Sequence, residues 1–285
     1  MNAANRALEA ANRNLVKLNL DMPFFQRGFY GSGNDDRLYE NGQRALDRSQ
    51  WNNALNDFTQ VASHAGPRAD GALYWKAYAL NKLGRRDEAI AAIADLRKNY
   101  AKSRWLDDAG ALEIEAKQAT GQSVSPDAQP DEELKLLALN ALVRSDPDRA
   151  LPILENLLKG SQPPRLKERA LFVLGQNDAP QAQQLLAQMA RGSGNPDLQL
   201  KAIQYLGLSR QQTNGQTLAD VYSASSDAEI KDAVINALAL QERNTRFLVD
   251  LARKERDPEV KRTIVHRLSS MKSKEALDYM MELLK

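Results

Sequence analysis

Apolar residues return along the second half of the chain in a fixed register. Leu134, Leu166, Leu198, Ile230 and Val260 stand 32, 32, 32 and 30 residues apart. Four places after each comes Ala138, Ala170, Ala202, Val234 or Ile264, and eight places after comes Leu142, Leu174, Leu206, Leu238 or Leu268. Such spacings gather side chains on one face of an α-helix, so each anchor predicts a helix with one buried stripe. A second apolar set follows in every unit: Leu154/Leu157/Leu158, Leu186/Met189/Ala190, Leu218/Val221/Tyr222, Leu248/Leu251/Ala252 and Met280/Leu283/Leu284. Residues 131–285 are therefore expected to form five helix pairs. Asp146-Pro147-Asp148, Asn195-Pro196-Asp197 and Asp257-Pro258-Glu259 each set a capping side chain before a proline at a first helical position, which marks helix starts.

The first half repeats with another period. Gly42 and Ala77, Ala54 and Ala89, and Phe58 and Ile93 are each 35 residues apart. The run from Leu38-Tyr39 through Gly42, Ala45, Trp51, Ala54 and Phe58 resembles a tetratricopeptide repeat, as does Leu73 through Ala77, Leu80, Gly84, Ala89 and Ile93. Ser49 stands where that family favours Gly, Arg86 where it favours Tyr, and Ala101 near its usual Pro. The paired helices of the second half, with Pro and Asp opening the first of each pair, resemble HEAT repeats. Together the two resemblances are those of bacterial proteins that join N-terminal tetratricopeptide-like repeats to C-terminal HEAT-like ones. The fold they imply is an all-α solenoid, in which each unit buries its apolar face only by stacking on the next.

The expected organisation has four parts. Residues 1–34 hold an amphipathic helix, striped by Ala4, Leu8, Ala11, Leu15 and Leu18, and an aromatic-rich connection, a candidate cap for the first repeat. Residues 35–118 form the tetratricopeptide-like domain, closing with a helix over 103–117. Residues 119–130 are a polar, Pro-containing linker, and 131–285 are the HEAT-like array.

Composition narrows the function classes. Apolar residues make up 42% of the 285, aromatic ones only 6% and charged ones 27%, a Leu/Ala-rich helical composition. The net charge of +2 is spread through mixed signs, which gives no field to select a polyanion, so no nucleic-acid partner is expected. With no cysteine there is neither a disulfide nor a thiolate site. No stretch approaches the roughly 20 apolar residues that span a bilayer, and Met1 to Asp21 lacks the apolar centre of a signal peptide. As it stands the sequence reads as cytoplasmic, while an upstream export signal would make it periplasmic.

Residues for chemistry are sparse. His64, in Ser63-His64-Ala65-Gly66, reads as a helix-end imidazole near free carbonyls, and His266, beside Arg267, as a surface residue. No nucleophile elbow, HExxH helix, Walker loop or dinucleotide motif occurs, and Gly31-Ser32-Gly33 and Gly192-Ser193-Gly194 read as turns. Asp107-Asp108 and Glu132-Glu133 read as solvated helix-start charge. The basic cluster of Arg253, Lys254, Arg256, Lys261, Arg262, Arg267, Lys272 and Lys274 is interrupted by Asp250, Glu255, Asp257 and Glu259 and reads as a self-compensating face. No catalytic residue, metal site or cofactor is expected.

The first helix of each tetratricopeptide pair lines a concave groove in that family. Carried over by position, the resemblance places Tyr39, Gln43, Tyr74, Tyr78, Asn81 and Lys82 there as candidate partner-binding residues, for an extended or helical peptide. Packing between repeats explains the tyrosines equally well. The function expected is a non-catalytic scaffold for a protein or peptide partner, with self-association through either solenoid end open to it. The alternatives are an enzyme on a HEAT scaffold, resembling alkylpurine DNA glycosylases or bilin lyases, and a structural fragment of a longer solenoid.

Overall fold

The computed structural model describes residues 33–118, 142 and 147–285, the last apart from positions 161, 163, 178, 210 and 212. The described residues belong to one compact unit, Ser32–Lys285. The expected N-terminal helix, the aromatic connection before residue 33, the linker 119–130, the anchors Leu134 and Ala138 and the cap at Asp146 lie outside them.

Every regular element among the described residues is helical. The first half holds α1 (Asn34–Asp47), α2 (Trp51–Ser63), α3 (Ala69–Lys82), α4 (Arg86–Asn99) and α5 (Leu106–Gln118). The second holds α6 (Pro147–Lys159), α7 (Pro164–Gly175), α8 (Pro180–Ala190), α9 (Pro196–Leu208), α10 (Asn214–Ala224), α11 (Ala228–Ala239), α12 (Thr245–Lys254), α13 (Pro258–Ser269) and α14 (Lys274–Leu283). In the first half each helix packs on the next, with α3 at the centre. That position explains its composition: Ala69, Ala72, Leu73, Tyr74, Trp75, Ala77, Tyr78, Ala79 and Leu80 are all buried, while the charged Asp70, Lys76 and Lys82 keep partial exposure. Small residues set the approach of its neighbours. A Cβ on Gly42 would stand 2.7 Å from the Phe58 ring.

In the second half the first helices of the pairs, α7, α9, α11 and α13, stack on one another, and the second helices, α8, α10, α12 and α14, stack alongside as another layer. The stripe positions fill the seam between the layers. Ala170, Leu174, Ala202, Val234, Leu238, Ile264 and Leu268 are fully buried and Leu166, Leu198, Leu206 and Ile230 nearly so, while Val260 is half-buried. Adjacent first helices also approach through a small residue, because a Cβ on Gly207 would meet the backbone of Ala237 at 2.8 Å. The capped starts form as the sequence predicts. Asn195 accepts from Leu198 N at 3.0 Å and Asp257 from Glu259 N at 2.9 Å, with Pro196 and Pro258 opening their helices.

The last second-helix set departs from expectation. In α14 Ala276 and Tyr279 are buried, whereas Met280 is half-buried and Leu283 and Leu284 are exposed, because no described helix packs on their side. Leu277, Met281 and Leu284 form an outward apolar stripe, 60, 49 and 88% exposed. No helix among the described residues is long and apolar enough to cross a membrane.

Two local features yield measurable effects. The turns after α1 and α3 are built alike, with Gln50 N bonded to Ala45 O at 2.8 Å and Arg85 N to Leu80 O at 2.9 Å. Each needs a left-handed residue, supplied by Ser49 at φ 56° and, 35 residues on, by Gly84 at φ 76°. The departure from the family's Gly therefore carries strain, and Ser49→Gly is expected to stabilise the protein by about 0.5 to 1 kcal/mol in urea denaturation. Glu255, between α12 and α13, accepts from Tyr222 Oη, from Lys231 Nζ at 3.1 Å and from the backbone N–H groups of Arg256 and Asp257. The Tyr222 hydroxyl first, and then these other donors, hold its carboxyl down at about 2, against an ordinary 4.5. A depressed acid stabilises the fold above its ordinary range and stops doing so as pH falls through its folded value. The thermal midpoint of the wild type should therefore exceed that of Glu255→Gln at pH 7, with the gap closing between pH 4.5 and 2.

Candidate functional site

The two halves meet where side chains of α1, α3 and α5 face those of α7, α9 and α11. Along α1, Tyr39, Gln43 and Asp47 recur every four residues on one face, and along α9 Asp197, Lys201 and Tyr205 do the same. These faces oppose each other. Asp197 Oδ2 accepts from Tyr39 Oη at 3.0 Å, from Gln43 Nε2 at 3.1 Å and from Trp75 Nε1 of α3 at 3.0 Å. One carboxylate thus receives three neutral donors from two helices. Further along, Asp47 lends its charge to Lys201 and Tyr205.

A second group of bonds flanks the first. Asp108 of α5 accepts from Lys167 Nζ of α7 at 2.9 Å and from Asn195 Nδ2 at 2.8 Å, so Asn195 caps α9 with its oxygen and crosses the junction with its nitrogen. Arg104 donates to Gln199 at 2.6 Å. Arg68 pairs with Asp36 and with Glu229 of α11, and its guanidinium lies 4.8 Å from the centre of the Tyr39 ring. Within the second half, Lys201 pairs with Glu168.

Electrostatics follow from burial. Loss of water pushes the Asp197 carboxyl up from its ordinary value, against the Arg68 charge and the donated hydrogen bonds, which favour the ionised form. Burial first, and then the Asp197 charge, push the Tyr39 hydroxyl well above its ordinary range, so it stays a donor. Burial disfavours the Lys201 ammonium, but the Glu168 charge, the Tyr205 and Asp47 charges and the hydrogen bond to Glu168 together outweigh it and hold the group above its ordinary value.

Beside Asp197 lies a cavity of about 210 Å³, where the starts of α3, α5, α9 and α11 converge. Four helix N-termini concentrate positive potential, and carboxylates on the cavity wall answer it. Asp70 accepts from Ser103 Oγ at 2.6 Å and from Gly71 N at 2.7 Å, Asp227 caps α11, and Glu229 pairs with Arg68. The acids are thus engaged with the chain's own donors. Among the described residues no three His, Cys, Asp or Glu side chains converge to hold a metal ion.

The six groove candidates divide. Tyr39 and Gln43 come together on Asp197. Tyr74 and Tyr78 lie in the aromatic core, Tyr74 stacked 4.8 Å from Trp105 and Tyr78 edge-on 5.6 Å from Trp75, each 1% exposed. Asn81 donates to Glu115 at 3.0 Å, and Lys82 stands 5.2 Å over the Tyr78 ring. Of the face carried over from the tetratricopeptide resemblance, Tyr39 and Gln43 are thus engaged by the chain's second half, and Tyr74, Tyr78, Asn81 and Lys82 by the first half itself. Two expectations need correction. Asp108, read as solvated charge, is 7% exposed, because α7 and α9 dock upon it. His64 caps α2 but bonds Asp35 at 2.6 Å rather than free carbonyls. Trp75, Arg68, Asn195 and Asp197 were not singled out as site residues. The Asn-Pro-Asp motif was visible, but helix capping accounted for it fully.

A family described as HEAT repeats matches residues 152–239. No curated protein sequence matches the chain. Among solved structures, human deoxyhypusine hydroxylase in complex with glycerol is 16% identical, with 87% of this chain and 97% of that one covered and a TM-score of 0.36. A tetratricopeptide repeat protein from Parabacteroides merdae ATCC 43184 is also 16% identical, with 87% and 98% covered and a TM-score of 0.26. Neither of these two likenesses bears on the site. The described residues form an all-α array of paired helices, HEAT-like over residues 152–239.

Stability separates the roles of the candidates. Tyr74→Ala should cost about 3 to 5 kcal/mol in denaturant titration, as for a large aromatic removed from a core. Lys82→Ala should change stability by less than about 0.5 kcal/mol.

Proposed function

We propose that the chain is a non-catalytic scaffold whose work is to hold a protein partner. The observation that carries this reading is the recognition chemistry of the face formed by Tyr39, Gln43, Arg68 and Trp75: amphipathic aromatics and neutral donors from two helices converge on the first turn of another helix. That is how a protein surface is read. The acids of the adjacent cavity support the same reading, since Asp70, Asp227 and Glu229 are held by the chain's own donors. The enzymatic alternatives call for such groups, and the glycosylase-like one for tryptophans in the second half, whereas Trp75 and Trp105 are buried in the first.

The test is affinity capture on the immobilised full chain from its native cell, followed by calorimetry of the purified pair. A saturable, stoichiometric complex with a protein, at a Kd in the micromolar range or tighter, is the expected result. A chain that captures no protein able to bind it again in purified form would refute the scaffold.

A further inference from the structure

We infer that the start of α9, Asn195-Pro196-Asp197, is an intramolecular ligand of the tetratricopeptide-like face, and that the external partner of this face is a helix opening with the same chemistry, an amide at the cap and a carboxylate two residues on. The inference rests on the scaffold reading and specifies how its site is regulated and what it accepts. Binding in trans requires release of α9 in cis.

The junction has the composition of a contact that opens. Its named bonds are hydrogen bonds and ion pairs: Tyr39, Gln43 and Trp75 with Asp197, Lys167 and Asn195 with Asp108, Arg104 with Gln199, and Arg68 with Glu229. Burying charges in such pairs returns little more than it costs in lost hydration, so the closed and open states lie near each other in free energy. Interfaces of this polar kind between parts of one chain permit relative motion. Opening strands nothing, because water satisfies both Asp108 and Asp197.

α9 does not depend on the junction for its own structure. Asn195 Oδ1 still caps Leu198 N when its amide leaves Asp108, and Asp197 keeps its favourable place in the first turn of the helix. Leu198, Ala202 and Leu206 remain buried in the HEAT-like stack.

The face is selective. Three donors on a single carboxylate oxygen, with the Arg68 charge nearby, demand an acid at that position, and Asp108 demands a donor two residues before it. Because both halves belong to one chain, the ligand in cis competes intramolecularly and suppresses external competitors.

The test uses the full-length chain and a fluorescein-labelled peptide of residues 194–209, read by anisotropy. Asp197→Lys breaks the contact in cis without altering the receiving face. It should bind the peptide at least tenfold more tightly than the wild type does, with a red shift in the emission of Trp75 and Trp105. A peptide carrying the same lysine should not bind, and Gln43→Ala added to Asp197→Lys should weaken binding of the native peptide. Equal binding by wild type and variant, or none by either, overturns the inference. Should Asp197→Lys lose its helical circular dichroism, Asn195→Ala takes its place with the same expectation.

The outcomes separate this inference from the scaffold reading. Peptide gain without any cellular partner sustains the ligand in cis and removes the scaffold. A captured partner that binds wild type and Asp197→Lys equally, with no peptide gain, does the reverse.

Discussion

A carboxylate withdrawn from water must be given hydrogen-bond donors or it takes up a proton, and Asp197 is given three. They come from α1 and α3, and the acid itself comes from α9, so the requirement is met only when the two repeat arrays stand in one particular relation. Apolar contacts tolerate sliding, whereas a buried acid does not. Asn195 applies the same condition two residues earlier, dividing its amide between a helix cap and Asp108. The seat of the second half on the first is thus specified by directional bonds, and each array is specified internally by packing.

That division follows from how repeat proteins are stabilised. Each helix pair covers its neighbours, and close approach is set by small residues such as Gly42 under Phe58 and Gly207 against Ala237. Once a seam of Leu, Ala and Ile is filled, little apolar surface remains on the polar sides of α7, α9 and α11 to drive docking. Charged and amide side chains take over there. Lys167 and Glu168 carry the α7 side, Asp197, Gln199 and Lys201 the α9 side, and Glu229 the α11 side.

The helix pairs were legible in the sequence because their cause is local and periodic. A stripe spaced by four and eight has one physical meaning on a helix, and Ala170, Leu174, Ala202, Val234 and Leu238 are buried as that meaning requires. The junction was not legible, because its cause lies far away in the chain. Asp108 and Asp197 stand at helix starts, where an acid has a sufficient local reason to be, and nothing in a one-dimensional pattern announces a second role. Tyr74 and Tyr78 show the reverse difficulty. Their amphipathic rings suit a groove and a core equally, and only the neighbouring Trp75 and Trp105 place them in the core.

The ladder shared by α1 and α9 also governs how this architecture can change in evolution or by engineering. An α-helix turns by about 100° per residue, so one residue inserted within α9 ahead of Lys201 would swing Asp197 away from the donors that fix it, even if every apolar position were repaired. Whole helix pairs added beyond α14 would leave that geometry untouched, because a solenoid passes information only between adjacent units. Growth is thus free at one end and forbidden in the middle, and variation in the length of such chains should accumulate downstream of α11.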